Sequence, residues 1–136
     1  MSGARRVVLD ASALLAWVLK ERGAGTVDQL LSVGVAPASV LVETLHRAAE
    51  KGHRLSLQQL HEALLEMGLA VEPVTGDDVV RAAELIAASR QASGKGSLSL
   101  GDGLCIAVAE RLRLSITGGE QHWETLDLTV SHLPFR

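Results

Sequence analysis

Three acidic residues from distant parts of the chain, Asp10, Glu43 and Asp102, stand where they could converge on one site. Asp10 directly follows Val7-Val8-Leu9, an apolar run that predicts a short buried strand. Ligands bind just beyond the carboxyl ends of strands in an open parallel sheet, so we expect Asp10 at that edge. Gathered carboxylates repel one another, and Mg²⁺ or Mn²⁺, which take oxygen ligands, stabilise them. Such a site performs phosphoryl chemistry, because the metal activates water and neutralises charge that builds on the phosphate.

The first two of these acids, Asp10 and Glu43, have purely structural interpretations that the sequence leaves open. Asp10 or Ser12 could cap the helix that follows the first strand by accepting its free N–H groups. Glu43 could form an i,i+4 ion pair with Arg47 on an exposed helix face. Three apolar residues precede Glu43, however, so the helix face near it is not simply exposed to solvent.

Asp102 has a structural alternative as well. It lies three residues after Ser99 and could complete a capping box with it. Its two neighbours are Gly101 and Gly103, and glycine is a poor helix former. Close approach of another group to the backbone is one reason for glycine to stand there.

The elements that must position these acids alternate between strands and helices. Short apolar runs predict strands over 7–9, 33–37, 71–74, 115–117 and 126–130. Apolar periodicity and capping residues predict helices over 13–21, 26–32, 39–51, 56–68, 75–90 and 99–113, with a helical turn over 120–125. Ser39 is expected to cap the third helix, and Pro73 predicts a short or edge strand. The alternation favours an α/β fold with a parallel sheet and helices on both faces.

Length and composition limit the possible classes of protein. The 136 residues favour one domain, 1–136, and 47% hydrophobic residues argue against disorder. The net charge of −3 argues against a bulk nucleic-acid binder, although metal-binding acids would supply part of it. No run of 18 apolar residues predicts a membrane span. The single cysteine, Cys105, rules out a disulfide framework and favours the cytoplasm.

Other catalytic motifs do not occur in the sequence. The five histidines show no zinc-ligand spacing, and the loop around Lys95 lacks the glycine pattern of a phosphate-binding loop. A receiver-like phosphotransfer domain is disfavoured, because the chain lacks an acid pair beside the first strand and a lysine after the last one. Cys105, Trp17 and Trp123 are interpreted as core or interface residues.

Four motifs in register resemble PIN-domain ribonucleases, above all the VapC-type toxins of bacterial and archaeal toxin–antitoxin pairs. They are the segment 8–14 (VLDASAL), Glu43 within a helix, the segment 98–107 (LSLGDGLCIA) and the segment 116–119 (ITGG). The resemblance implies a three-layer α/β/α sandwich with a mostly parallel sheet of four to five strands. It also implies a Mg²⁺- or Mn²⁺-dependent endoribonuclease that forms a homodimer. A cognate antitoxin would inhibit it by covering the active site with its tail.

The same resemblance assigns roles to individual residues. Asp10, Glu43 and Asp102 would be the acids that bind the metal. Ser12 would orient Asp10, and Thr117 would supply a hydroxyl at the end of the fourth strand.

One position departs from the pattern of the family. The family usually carries an acid two residues after the threonine, where this chain has Gly119, and Glu120 follows one place late. Either Glu120 reaches the metal as a fourth ligand, or the site keeps three acids and one firmly bound ion. We favour the second alternative, under which Gly119→Asp is expected to tighten metal binding or raise the rate. The four motifs together lead us to expect an endoribonuclease toxin that acts on structured RNA such as tRNA, by analogy with the family. The alternative is a catalytically weakened module that binds RNA or a partner protein without cleavage.

Overall fold

Within the ranges that the structure describes, five short strands form one parallel sheet. The computed structural model describes residues 5–91, 97–119, 123 and 126–136. The strands are β1 (Val7–Leu9), β2 (Gly34–Pro37), β3 (Ala70–Glu72), β4 (Ile116–Thr117) and β5 (His132–Leu133). Their order is β3-β2-β1-β4-β5, and each neighbouring pair is parallel. The predicted α/β class is therefore confirmed, and β3 is an edge strand as Pro73 indicates.

Helices connect the strands and flank the sheet. They are α1 (Ala11–Val18), α2 (Ala24–Leu30), α3 (Ala38–Glu50), α4 (Leu57–Glu66), α5 (Gly76–Gln91) and α6 (Leu100–Leu112), with a 3₁₀ turn at Leu31–Val33. Helix α5 packs against α6, and α1 packs against α2 and α3. In the described part of the chain, none of the helices combines the length and apolar character needed to cross a bilayer. A single domain over 1–136 stays a prediction.

The central strand β1 is buried along its whole length. Val8 and Leu9 are fully buried, as are Leu14 of α1 and Ile116 of the neighbouring β4. Both faces of a parallel sheet are covered by helices, so its central strands carry continuous apolar runs rather than alternating ones. This explains why three consecutive apolar residues form β1.

The strand order places a switch point between β1 and β4. From β1 the chain continues to β2 and β3 on one side, whereas β4 and β5 lie on the other side. Leu9 is paired with Thr117, so Asp10 and Gly118 follow at the same edge of the sheet. This edge is where open α/β sheets bind their ligands.

Two local predictions are wrong. The strand expected over 126–130 is displaced to β5, because the N–H groups of Leu126 and Leu128 close turns to the carbonyls of Trp123 and Leu126. The alternating apolar residues there pack against the core without joining the sheet. Ser39 does not cap α3, which begins one residue earlier, and its hydroxyl is buried without a hydrogen-bond partner among the described residues. The predicted turn over 120–125 lies outside the described residues apart from Trp123.

Candidate active site at the carboxyl edge of the sheet

Asp10 is the N-cap residue of α1 and is firmly held. Its backbone is extended, and Asp10 Oδ1 accepts hydrogen bonds from the Ala13 N–H at 2.9 Å and from Ser12 Oγ at 2.7 Å. The Asp10 N–H donates to the carbonyl of Thr117 in β4, which ties β1 to its neighbour beyond the last sheet pair. The capping interpretation of Asp10 is therefore correct, and the capping hydrogen bond uses only one of the two carboxylate oxygens, Oδ1. Ser12 makes the contact that a positioning role requires.

The second oxygen of Asp10 receives a hydrogen bond from a distant part of the chain. The Gly119 N–H donates to Asp10 Oδ2 at 2.7 Å, and the Asp10 residue is only 5% exposed. A carboxylate has about four lone-pair sites on its two oxygens, so three donors leave acceptor capacity for one further ligand. Sequence reasoning missed this contact. The glycine pair after Thr117 indicated a turn at this edge of the sheet, but no local pattern showed that the Gly119 N–H would donate to Asp10.

The Gly118–Gly119 turn has a shape that only glycine adopts easily. The φ angles of Gly118 and Gly119 are +114° and +87°. A Cβ atom on Gly118 would overlap the Asp10 carboxylate, and one on Gly119 would lie 2.8 Å from the Trp123 ring. A side chain at 119 would therefore meet Trp123 rather than the acids. The expectation that Gly119→Asp tightens metal binding or raises the rate stays a prediction, and the variant would require this turn or the Trp123 ring to shift.

Glu43 lies on α3 and reaches the first turn of α6. Glu43 Oε2 forms an ion pair with Arg47 at 2.9 Å, in which the glutamate side chain is 26% and the arginine side chain 56% exposed. A Cβ on Gly101 would lie 2.5 Å from Glu43 Oε1. The ion-pair interpretation of Glu43 is confirmed, and its role as a metal ligand stays a prediction. The glycine before Asp102 is explained by the close approach of this carboxylate.

Asp102 occupies the first turn of α6. Its N–H donates to the hydroxyl of the N-cap residue Ser99 at 3.1 Å, which confirms Ser99 as the cap. Gly103 faces the opposite way, since a Cβ there would lie 2.9 Å from the Ile86 side chain of α5. The two glycines around Asp102 therefore admit Glu43 on one side and α5 on the other.

Cys105 shows that the three acids share one neighbourhood. The residue is 1% exposed, as expected of a core cysteine. Burial raises the pKa of its thiol well above the usual value, and the negative charges of Asp10, Asp102 and Glu43 raise that pKa further. Because all three charges act on the same buried thiol, α1, α3 and α6 bring the acids to one region of the molecule.

The family model for the PIN domain matches residues 7–125. The chain belongs to the PIN domain family. No curated protein matches its sequence. The match runs from the first residue of β1 past β4 and includes Asp10, Glu43 and Asp102, so the predicted resemblance is confirmed for this PIN domain.

Solved structures share the fold of this PIN domain at low sequence identity. VapC20 of Mycobacterium tuberculosis, described as a toxin that cleaves the sarcin–ricin loop, has a TM-score of 0.69 at 17% identity over 90% of this chain and 96% of that chain. A toxin–antitoxin complex from Klebsiella pneumoniae has a TM-score of 0.72 at 14% identity, covering 96% and 98%. FitAcB from Neisseria gonorrhoeae has a TM-score of 0.66 at 19% identity, covering 93% and 96%.

The donor chemistry of the PIN-domain site suits a hard divalent cation. The described residues contain no group of three or more His, Cys, Asp or Glu side chains close enough to form a ready ligand cluster. Mg²⁺ keeps several of its waters and is commonly held by one or two carboxylates together with substrate phosphate. Carboxylates that share one region without touching therefore fit Mg²⁺ or Mn²⁺ better than a metal that needs a closed protein shell.

The two remaining predicted residues have different outcomes. Thr117 lies at the end of β4, is 4% exposed, and accepts a hydrogen bond from the Asp10 N–H through its backbone carbonyl. The role of its hydroxyl stays a prediction. Glu120 lies outside the described residues, and its role as a fourth ligand also stays a prediction.

Proposed function

We propose that this PIN domain is a Mg²⁺- or Mn²⁺-dependent endoribonuclease that acts as the toxin of a toxin–antitoxin pair. The observation that carries the proposal is the placement of Asp10 at the carboxyl edge of the sheet, beside the end of β4, together with the approach of Glu43 to the first turn of α6, which carries Asp102. Nucleases of the PIN family generally use divalent metals, and the acids here have the matching donor chemistry.

Each residue of the proposed site has a task that its contacts support. Asp10, Glu43 and Asp102 bind the metal, which when bound activates water and offsets charge on the scissile phosphate. Ser12 and the Gly119 N–H fix the orientation of the Asp10 carboxylate.

The proposed substrate is a structured RNA. VapC20, which shares the fold, is described as cleaving the sarcin–ricin loop, and tRNA is a second substrate by analogy with the family. Action on cellular RNA would place the protein in the cytoplasm.

The proposed partners are a cognate antitoxin and a second copy of the chain. Similar structures include toxin–antitoxin complexes, which supports the antitoxin. Large apolar side chains are exposed on α3, α4 and β3, and Val42, Leu57 and Val71 line one groove between them. Exposed apolar area of this kind supports protein contacts.

The decisive test of activity compares the wild type with Asp10→Asn on total RNA in the presence of Mn²⁺. We expect cleavage by the wild type, its loss with EDTA, and a decrease of more than about a hundredfold in the variant, since even changes behind metal ligands cost 10–100-fold. Asp77→Asn, an exposed acid in the first turn of α5, is the matched control and should cleave normally. Equal cleavage by Asp10→Asn would reject the site.

A module that binds RNA or protein without cleavage is the second candidate. The observation in its favour is Gly119, which stands where the family usually has an acid. Metal binding and RNA binding without cleavage by the wild type would support this candidate over the nuclease.

A further inference from the structure

Trp123 is a large side chain with a defined place behind the candidate site. It is 1% exposed, and its ring faces the Gly119 backbone so closely that an added Cβ would lie 2.8 Å from two ring carbons. The ring of His132 in β5 lies 5.5 Å away at a 56° tilt. The indole nitrogen has no hydrogen-bond partner among the described residues.

The Gly118–Gly119 turn lies between this ring and the Asp10 carboxylate. The Gly118 N–H is fixed by the carbonyl of Leu133 in β5, and the Gly119 N–H donates to Asp10 Oδ2. Two glycines with positive φ angles have many alternative backbone states, and ordering them costs about 1–2 kcal/mol per residue. A rigid surface behind Gly119 excludes the states in which its N–H turns away from Asp10.

We propose that Trp123 is a positioning residue: its ring packs against Gly119 and keeps the Gly119 N–H hydrogen-bonded to Asp10, which sets the orientation of the carboxylate for metal binding. This inference rests on the proposed function for its link to the metal. The contact chain runs from His132 through Trp123 and Gly119 to Asp10. At the corner where the family usually carries an acid, this protein places a backbone donor directed at Asp10.

The proposal explains why position 119 is glycine and not an acid. Any side chain there would displace the ring or the turn, as the 2.8 Å approach of Trp123 shows. The neutral N–H donor at this corner adds no charge to the site and fixes one oxygen of Asp10. The geometry of Asp10 then depends on a residue that touches neither substrate nor metal.

The test compares Trp123→Leu and Trp123→Phe with the wild type, and Trp17→Leu serves as the control. Trp17 lies at the end of α1, where its indole donates to Asp28, away from Asp10. Amide hydrogen exchange of Gly119 is measured by NMR without metal, with Val8 in β1 as the internal reference. Mn²⁺ affinity is measured by calorimetry well below the unfolding temperature.

We expect Trp123→Leu to speed Gly119 exchange by about tenfold more than it speeds Val8 exchange, because Val8 in the buried central strand reports global unfolding whereas Gly119 also exchanges by local opening. Mn²⁺ affinity should fall by about tenfold, as for other residues that orient metal ligands. Trp123→Phe retains an aromatic surface and should restore most of both values, and Trp17→Leu should alter neither. A lower melting temperature with unchanged Gly119 exchange and Mn²⁺ affinity would overturn the proposal.

Two further outcomes remain decisive. A wild type that fails to bind Mn²⁺ rejects the proposed metal site, and the exchange data alone then decide whether Trp123 holds Gly119.

If Trp123→Leu does not fold, the contact chain is tested from its other end in Trp17→Phe protein, where Trp123 is the single tryptophan. Asp10→Asn should then shift the emission of Trp123 and Asp77→Asn should not, because coupling is reciprocal. No shift in Asp10→Asn would overturn the proposal.

Discussion

Asp10 and Asp78 are both buried aspartates at the N-terminal ends of helices, but their partners differ in charge. Asp10 accepts hydrogen bonds from Ser12, Ala13 and Gly119, all neutral donors. Asp78 is 2% exposed and receives the Arg111 guanidinium at 3.0 Å. In the described part of the chain, no Lys, Arg or His forms an ion pair with Asp10.

The difference in partners separates a structural acid from an acid suited to bind a cation. Burial opposes ionisation of Asp78, but hydrogen bonds from Arg111 and Thr75 outweigh it and lower the pKa of the carboxyl. Glu110 behaves in the same way beside Arg81. Their charges are neutralised within the fold. Neutral hydrogen-bond donors orient the Asp10 carboxylate but do not neutralise its charge. A cation at this edge of the sheet would therefore be stabilised more by Asp10 than by Asp78 or Glu110, whose charges are already paired.

The largest expected effect comes from Gly118→Ala, because the new methyl group would overlap the Asp10 carboxylate. We expect loss of RNA cleavage and a decrease of about 3 kcal/mol or more in the free energy of unfolding. Gly52→Ala is the matched control: its φ is +76° and nothing lies within 4 Å of the added atom. It should cost about 1–2 kcal/mol and leave cleavage intact. Equal losses in both variants, measured by urea unfolding and cleavage rates, would show that the Asp10 contact is unimportant.

Asp78→Asn should give the opposite pattern at the structural acid. We expect a loss of about 2 kcal/mol in unfolding free energy at pH 7, the usual size for a charge-assisted hydrogen bond, with unchanged cleavage by the folded protein. The folded pKa of Asp78 lies below its ordinary value of 3.8, so its ionised form adds stability fully above that value. This contribution disappears as the pH falls through the folded pKa. Urea unfolding at pH 7 and pH 3 should therefore show the gap between wild type and variant narrowing at pH 3; a constant gap would contradict the account.

Contacts between residues close in sequence were predictable from the sequence, and the contact between Asp10 and the distant Gly119 was not. The apolar run before Asp10 predicts a buried strand with a cap behind it, and Ser99 with Asp102 predicts the start of α6. These signals lie within a few residues of one another. The Gly119–Asp10 hydrogen bond spans 109 positions, and no local pattern indicates which glycine N–H will reach which acid. The strand expected over 126–130 is absent for a related reason. Its alternating apolar residues pack against the core, and packing of this kind does not require the segment to pair with the sheet.

The smallest expected effect concerns the ion pair between Glu43 and Arg47. Arg47→Ala removes a half-exposed partner, so unfolding free energy should change by less than about 0.5 kcal/mol. Mn²⁺ affinity should rise by about threefold at low salt, because a cation that competes for Glu43 is removed, and the gain should vanish at high salt. Arg90→Ala, an exposed change on α5, is the control for net charge. A loss of affinity measured by calorimetry would show instead that Arg47 holds Glu43 in place for the metal.

The most direct measurement is the thermal unfolding of wild type, Asp10→Asn and Asp78→Asn with and without Mn²⁺. A ligand that binds only the folded state stabilises it by about 2.7 kcal/mol at a hundredfold excess over its dissociation constant. We expect Mn²⁺ to raise the melting temperature of the wild type and of Asp78→Asn, which starts from a lower value, and to leave Asp10→Asn unchanged. An equal rise in Asp10→Asn, or no rise in the wild type, would contradict the claim that the uncompensated charge of Asp10 binds the cation.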